Sequence, residues 1–264
     1  MLRKRFLLLR RMRRTHPHVQ FTGVGGVRRV AARLVALAML MLAPSAAATQ
    51  ADLSDALLTD GFFRTVFGLE YESFGRGASV VKKFSDTVFL YIDQRARQDR
   101  RQEVRAFVQS VNRAVQGLDL RITENPADAN FTVFIVDRAN YADTIRGDVY
   151  RSSNARVRGR CMVRVLTQRN GIERAQAVIV SDEGEFLFNR CLVEEVLQGL
   201  GPLNDDASLA LSVFNDQSRH TRFTLHDRFI LNMLYHPGIR AGMDRRAVER
   251  TLPRVLSDVR RYVP

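Results

Sequence analysis

The stretch CLVEEVLQGLGPLND, Cys191 to Asp205, concentrates side chains that could do chemistry. Glu194 and Gln198 are four residues apart, one helical turn, so on a helix their polar ends stand one above the other. Two donors at that spacing can share a metal ion, and a glutamate beside the first, here Glu195, can take a proton from a bound water. Gly201 follows three residues after Gln198 and permits a sharp turn. Asn204 and Asp205, two further oxygen donors, follow that turn. These donors are oxygens, and Zn²⁺ prefers imidazole and thiolate. Without a metal, a lone Glu195 does not readily make hydroxide from water at neutral pH. The expectation is therefore Glu195 as the one catalytic candidate, with Glu194, Gln198, Asn204 and Asp205 lining a cleft and no metal or cofactor bound. The plainer alternative is an ordinary amphipathic surface helix.

Other candidates are weaker. His220, His226 and His236 are scattered beyond this helix. Asp205, Asp206, Asn215 and Asp216 have the oxygen chemistry of a calcium site, but Asx side chains capping turns explain them equally well. Ser212 lacks the G-x-S-x-G context of an activated nucleophile. Gly147, Gly159 and Gly171 are too dispersed to cradle a phosphate.

The elements that must position these residues follow from periodicity. Ser54–Gly68 is a short amphipathic segment, followed by a loop at Gly75 and Gly77. Phe84–Asp93 alternates as a strand, and Val104, Phe107, Val108, Val111 and Val115 mark a helix within Arg97–Gly117. Asp119–Thr123 and Asn130–Asp137 are strands. Met162–Gln168 and Ala175–Asp182 are two more, and the Asn170-Gly171 pair between them signals a hairpin. A helix from Glu183 to Leu200 carries Glu194, Glu195 and Gln198 on one face, with Leu192, Val193, Val196, Leu197 and Leu200 opposite, and Gly201-Pro202 stops it. Thr224 caps a further helix whose third position is Asp227. Asp244–Val263 is helical, with a kink or interruption at Pro253.

These spacings resemble those of metzincin zinc peptidases. Glu194, Glu195 and Gln198 stand where H-E-x-x-H has His, Glu and His, and Gly201 matches the glycine of the extended motif. The order strand, helix, further strands, helix is similar to the metzincin upper half, and Phe223–Pro237 resembles the C-terminal helix of matrixins. The region from about Phe62 to Leu252 also resembles a proteobacterial family of exported proteins and lipoproteins of unknown function. Cys191, Glu194-Glu195-x-x-Gln198, Leu200-Gly201, Asn204-Asp205, Ser212–Asp216, Asp227 to Tyr235 and Gly242-Met243 carry that resemblance. It implies an α+β fold: a metzincin-like mixed sheet, a long helix after the first strand, an active-site-type helix after the last, and C-terminal helices.

Charge and cysteines bound the rest. The formal net charge is +13, which would suit a nucleic-acid binder. However, ten of the 41 Lys and Arg lie in the first 48 residues, which hold no Asp or Glu. The remaining 31 face 28 acidic residues, close to balance. No basic–aromatic interleaving supports nucleic acid. Arg28, Arg29 and Arg33 before Leu34–Ala43, then Pro44 and small residues, make residues 1–48 a signal peptide, or an uncleaved anchor. Residues 49–80 are then an N-terminal extension with a short helix, and 81–264 one metzincin-like α/β domain. Export to the periplasm or beyond favours a disulfide between Cys161 and Cys191, the only cysteines; two buried thiols are the alternative. The functional expectation is a cell-envelope binding or structural module with a protein or peptide partner, touching membrane only through an uncleaved leader. The alternative is a peptidase-like hydrolase using Glu195 with an atypical metal or none.

Overall fold

The computed structural model describes residues 53–67, 80–168 and 171–264. The leader, Gly75, Gly77 and Asn170 lie outside the described residues. The described residues belong to one unit.

A five-stranded mixed sheet, ordered β2-β1-β3-β5-β4, organises this unit. Its strands are β1 (Val88–Gln94), β2 (Leu120–Thr123), β3 (Phe131–Val136), β4 (Cys161–Gln168) and β5 (Gly171–Val180). β1 pairs in parallel with both β2 and β3, and β3 in parallel with β5, while β4 closes one edge antiparallel to β5. The helices are α1 (Asp55–Val66), α2 (Arg101–Ala114), α3 (Arg138–Thr144), α4 (Glu185–Gln198), α5 (Leu225–Tyr235) and α6 (Arg245–Val259). The chain is thus α+β with a mixed sheet. The antiparallel β4–β5 pair agrees with the hairpin expected around Asn170-Gly171.

The central strand β3, FTVFIV, is apolar on both faces because both are covered. On one side Phe131, Val133 and Ile135 join a core with residues of α1, α2, α4, α5 and α6. On the other, Phe134 and Val136 meet Tyr141, Ile145 and Val149 in a smaller core. This second layer is α3 and a π-helical turn, Ile145–Val149, in a region expected to be loop. Seven residues are too few for a clear helical period, so its apolar positions were not legible as a pattern.

Side chains from distant segments trimmed several expected elements. The strand starts at Val88 rather than Phe84, since pairing begins where Val88 meets Leu120 and the carbonyl of Lys83 instead accepts from the Ile172 amide at 2.9 Å. α2 starts at Arg101 because the preceding turn is held by side chains: Gln94 Oε1 accepts from the Arg100 amide at 3.0 Å. It ends at Ala114, where Asn232 donates to the Ala114 carbonyl and accepts from the Gln116 amide. α6 is helical through Pro253, so the expected interruption does not occur. Pro253 is exposed, and there water can satisfy the carbonyl left without a donor.

Candidate functional site

α4 is fixed at its start by Arg100, whose side chain is buried. Its guanidinium forks onto Glu185, donating at 2.6 and 3.0 Å. It also reaches Glu103 at 3.1 Å and lies over the Phe188 ring at 4.3 Å. The same guanidinium holds the Glu185 carboxyl below its ordinary range. Further along, Cys191 is disulfide-bonded to Cys161 of β4, as expected for the only cysteine pair. At the far end, Gly199 packs so closely on the Phe131 ring that a Cβ there would collide with it.

Held in this way, α4 is not a surface amphipathic helix. Every residue from Cys191 to Leu200 with a side chain is buried, including Glu194 and Glu195 at 6% exposure and Gln198 at 3%. The polar face was legible; its burial was not, because what covers it comes from the loop between α4 and α5. Arg190, one turn before Glu194, donates to Glu194 Oε1 at 2.9 Å and to the Asn215 carbonyl at 3.1 Å. Gln198 Nε2 donates to Asp205 Oδ1 at 2.8 Å. Glu194, Asp205 and Asp216 each bring a carboxylate oxygen within 4.8 Å of the others, and Asp216 is exposed, so the cluster reaches the surface. Oxygens of Glu194 and Glu195 also lie within 4.8 Å of the Cys161 sulfur.

The sharp turn after α4 is as the spacing predicts. Gly201 adopts φ 137°, and a Cβ there would sit 2.5 Å from the Lys82 carbonyl oxygen. The turn does not deliver Asn204 to the carboxylate cluster. Asn204 caps α1, its Nδ2 donating to the Arg64 carbonyl at 2.9 Å and its backbone amide to the Thr65 carbonyl at 3.2 Å. Asp205 is therefore the residue after Gly201 that meets Gln198. The side chains of the suspected calcium set divide in the same way. Asp206 and Asn215 hold turns, accepting from the amides of Ser208 and Gln217 two residues on, whereas Asp205 and Asp216 join Glu194.

Of the remaining candidates, none enters the cluster among the described residues. His220 Nε2 lies 2.9 Å from the Ala210 carbonyl. His226 is buried against Gly61 of α1, and His236 accepts from the Gly238 amide. Ser212 is fully buried and donates to Asp227 Oδ1 at 2.6 Å, which makes it a fastener. Asp227 is the residue whose full role the sequence understated. It forms the expected capping box with Thr224, and also binds Ser212 and the Val213 amide fourteen residues upstream.

A zinc ion does not fit this set. Both sulfurs are tied in the disulfide, no imidazole is present in the cluster, and the Arg190 guanidinium lies 2.9 Å from Glu194 and 3.9 Å from Asp216.

Fold and site together define a disulfide-stapled mixed α+β domain built around a buried acidic helix. The chain belongs to the DUF2927 family, described as a protein of unknown function, whose model matches residues 55–254. The match runs from α1 into α6, so it includes α1, whose Leu58, Phe62 and Val66 share the main core. No curated protein matches the chain.

Proposed function

We propose that this is an exported domain of metzincin-like layout, without a zinc centre, that acts as a binding or structural module of the cell envelope. One observation carries the reading. The two positions that would hold imidazoles are Glu194 and Gln198, and each is engaged by a neighbour of the same chain, Arg190 and Asp205. A helix whose would-be ligands are tied internally serves packing and shape. The element order strand, helix, two strands, short helix and π-helical turn, two strands, helix is compatible with a metzincin-like layout that carries an inserted helical layer. The disulfide supports an oxidising compartment, periplasmic or secreted, consistent with residues 1–48 as a cleaved signal peptide. The membership of a proteobacterial set of exported proteins and lipoproteins belongs to the same proposal.

A second reading has one observation in its favour. Glu194, Asp205 and Asp216 present clustered carboxylates beside Glu195, a hard-oxygen set of the kind that suits Ca²⁺ or Mg²⁺ rather than zinc. In that reading Glu195 is the base of a hydrolase. Elemental analysis of protein purified from the cell envelope separates the two. Substoichiometric zinc, calcium, magnesium and manganese are expected, and one zinc per chain would sink the proposal. Glu195→Gln should fold normally and keep any ligand or phenotype of the parent; its selective loss would favour the hydrolase.

A further inference from the structure

The segment that leaves the π-helical turn, residues 150–160, contains Arg151, Arg156, Arg158 and Arg160 and no acidic residue. It is exposed except at Ala155 and Val157. It is also anchored. Val157 packs on the smaller core, Tyr141 Oη donates to the Arg158 carbonyl at 3.1 Å, and Arg138 donates to the Gly159 carbonyl at 3.0 Å. The Ser152 amide donates back to the Arg146 carbonyl at 2.8 Å. Arg151 itself sits at φ 52°, a left-handed conformation that costs a residue with a side chain.

About half of the described arginines form ion pairs with acids, and of these four only Arg160 does. Arg160 reaches Glu183 at 3.3 Å. Among the described residues, Arg151, Arg156 and Arg158 have no acidic or hydrogen-bonding partner for their side chains. Next to them, Arg146, Arg151, Ser152, Ser153 and Gly147 line a surface hollow of about 520 Å³, with Asp143 also on its wall. Beyond the leader the chain is nearly balanced in charge, so this loop is a local cationic excess on a fixed backbone.

We propose that the 150–160 loop is a docking surface for anionic phospholipid headgroups. Guanidiniums bind phosphate oxygens through paired donors, and each arginine near an anionic bilayer adds to the attraction. Ser152, Ser153 and Asn154, all exposed, add neutral donors at the same level. Single-stranded nucleic acid would need aromatic faces for stacking. The one aromatic here, Tyr150, is exposed but has one face of its ring against the Arg164 guanidinium at 4.8 Å, and a single ring makes no stacking platform. A duplex groove admits a helix or a two-stranded ribbon, and this segment is neither. A protein partner would call for an apolar centre to the patch, whereas Val157 is turned inward. A flat, phosphate-bearing surface asks only for exposed cations, which is what the loop supplies. The proposal does not depend on the reading of α4.

The test is co-sedimentation of the full chain with phosphatidylcholine vesicles, with and without phosphatidylglycerol. Two triple variants are compared, R151Q/R156Q/R158Q and R246Q/R250Q/R254Q. The second set lies exposed on α6 and lowers net charge equally, so the basic leader contributes the same background to both. Circular dichroism verifies that both fold. The loop variant should lose at least about tenfold in partitioning to the anionic vesicles, the α6 variant less than about threefold, and about 0.5 M salt should release the wild type. Equal losses in the two variants, or none in the loop variant, overturn the proposal. So does loop-dependent binding of a single-stranded oligonucleotide that is tighter than binding to the vesicles.

Discussion

Asp227 and Glu194 are both buried carboxylates singled out by their spacing, yet their surroundings differ. Asp227 is fully buried and surrounded by donors: the hydroxyls of Ser212 and Thr224 at 2.6 Å each and the amides of Val213 and Thr224. It joins the start of α5 to the loop after α4. Glu194 meets one guanidinium but has two further carboxylates, Asp205 and Asp216, within 4.8 Å. A carboxylate saturated by donors is a fastener. One that shares its surroundings with two other carboxylates, one of them exposed, belongs to a cluster that reaches solvent. The comparison also explains why motif residues that look alike in sequence separate into fold and site.

Asp227→Ala should show the largest effect. It leaves the Ser212 hydroxyl and the Val213 amide buried without their acceptor and removes the capping box with the part-buried Thr224, costing about 4 kcal/mol in urea denaturation. A cost under about 1 kcal/mol would erase the distinction drawn above. Arg190→Met should cost about 3 kcal/mol, because Glu194 is then buried without its cation. The double variant Arg190→Met with Glu194→Leu should recover most of that loss. If it recovers nothing, the guanidinium acts through Asn215 and not through Glu194.

Lys83 sharpens the contrast with a buried charge of opposite sign, held by carbonyls instead of an acid. Its ammonium donates to the carbonyls of Leu234 and Ile239 at 2.9 and 2.6 Å, and burial pushes its pKa down to about 8. The unfolded value is near about 10.4, so between these pH values the folded chain binds fewer protons than the unfolded one. Stability from this group therefore rises as pH climbs from about 8 to about 10.4 and is at its lowest below that window. Lys83→Met should flatten this rise in a series of denaturation curves; an unchanged profile would show that Lys83 titrates normally. The smallest effect is expected for Gln198→Leu. It removes one bond to the partly exposed Asp205 and should cost about 1 kcal/mol or less, measurable as a small shift in thermal midpoint.

Much of the fold was legible because it rests on local periodicity and capping. The strands, α2, α4 and the Thr224–Asp227 cap all follow from repeat spacing or from a side chain three residues from its target. Several of the misses trace to partners far along the chain. Asn232 ends α2 across more than a hundred residues, and Asn204 caps α1 across a similar distance, so neither could be assigned from its neighbours. α3 was missed because a seven-residue helix on the second face of the sheet carries too short a period to stand out.

For the site, the sequence by itself determined the ligand chemistry. Oxygen donors at Glu194, Gln198 and Asp205, with no histidine at zinc-binding spacing, set which metals are disfavoured whatever the fold, since softness belongs to the side chain. It also supplied the cysteine pair and the glycine at the turn. Tertiary structure alone decided that the acidic face of α4 is covered, that Arg190 meets Glu194, and that Asp216 joins the cluster while Asn204 leaves it. Those outcomes depend on where a loop some fifteen residues downstream returns across the helix. Local spacing has no bearing on that path; the Asp227 fastener and the packing beneath it set it.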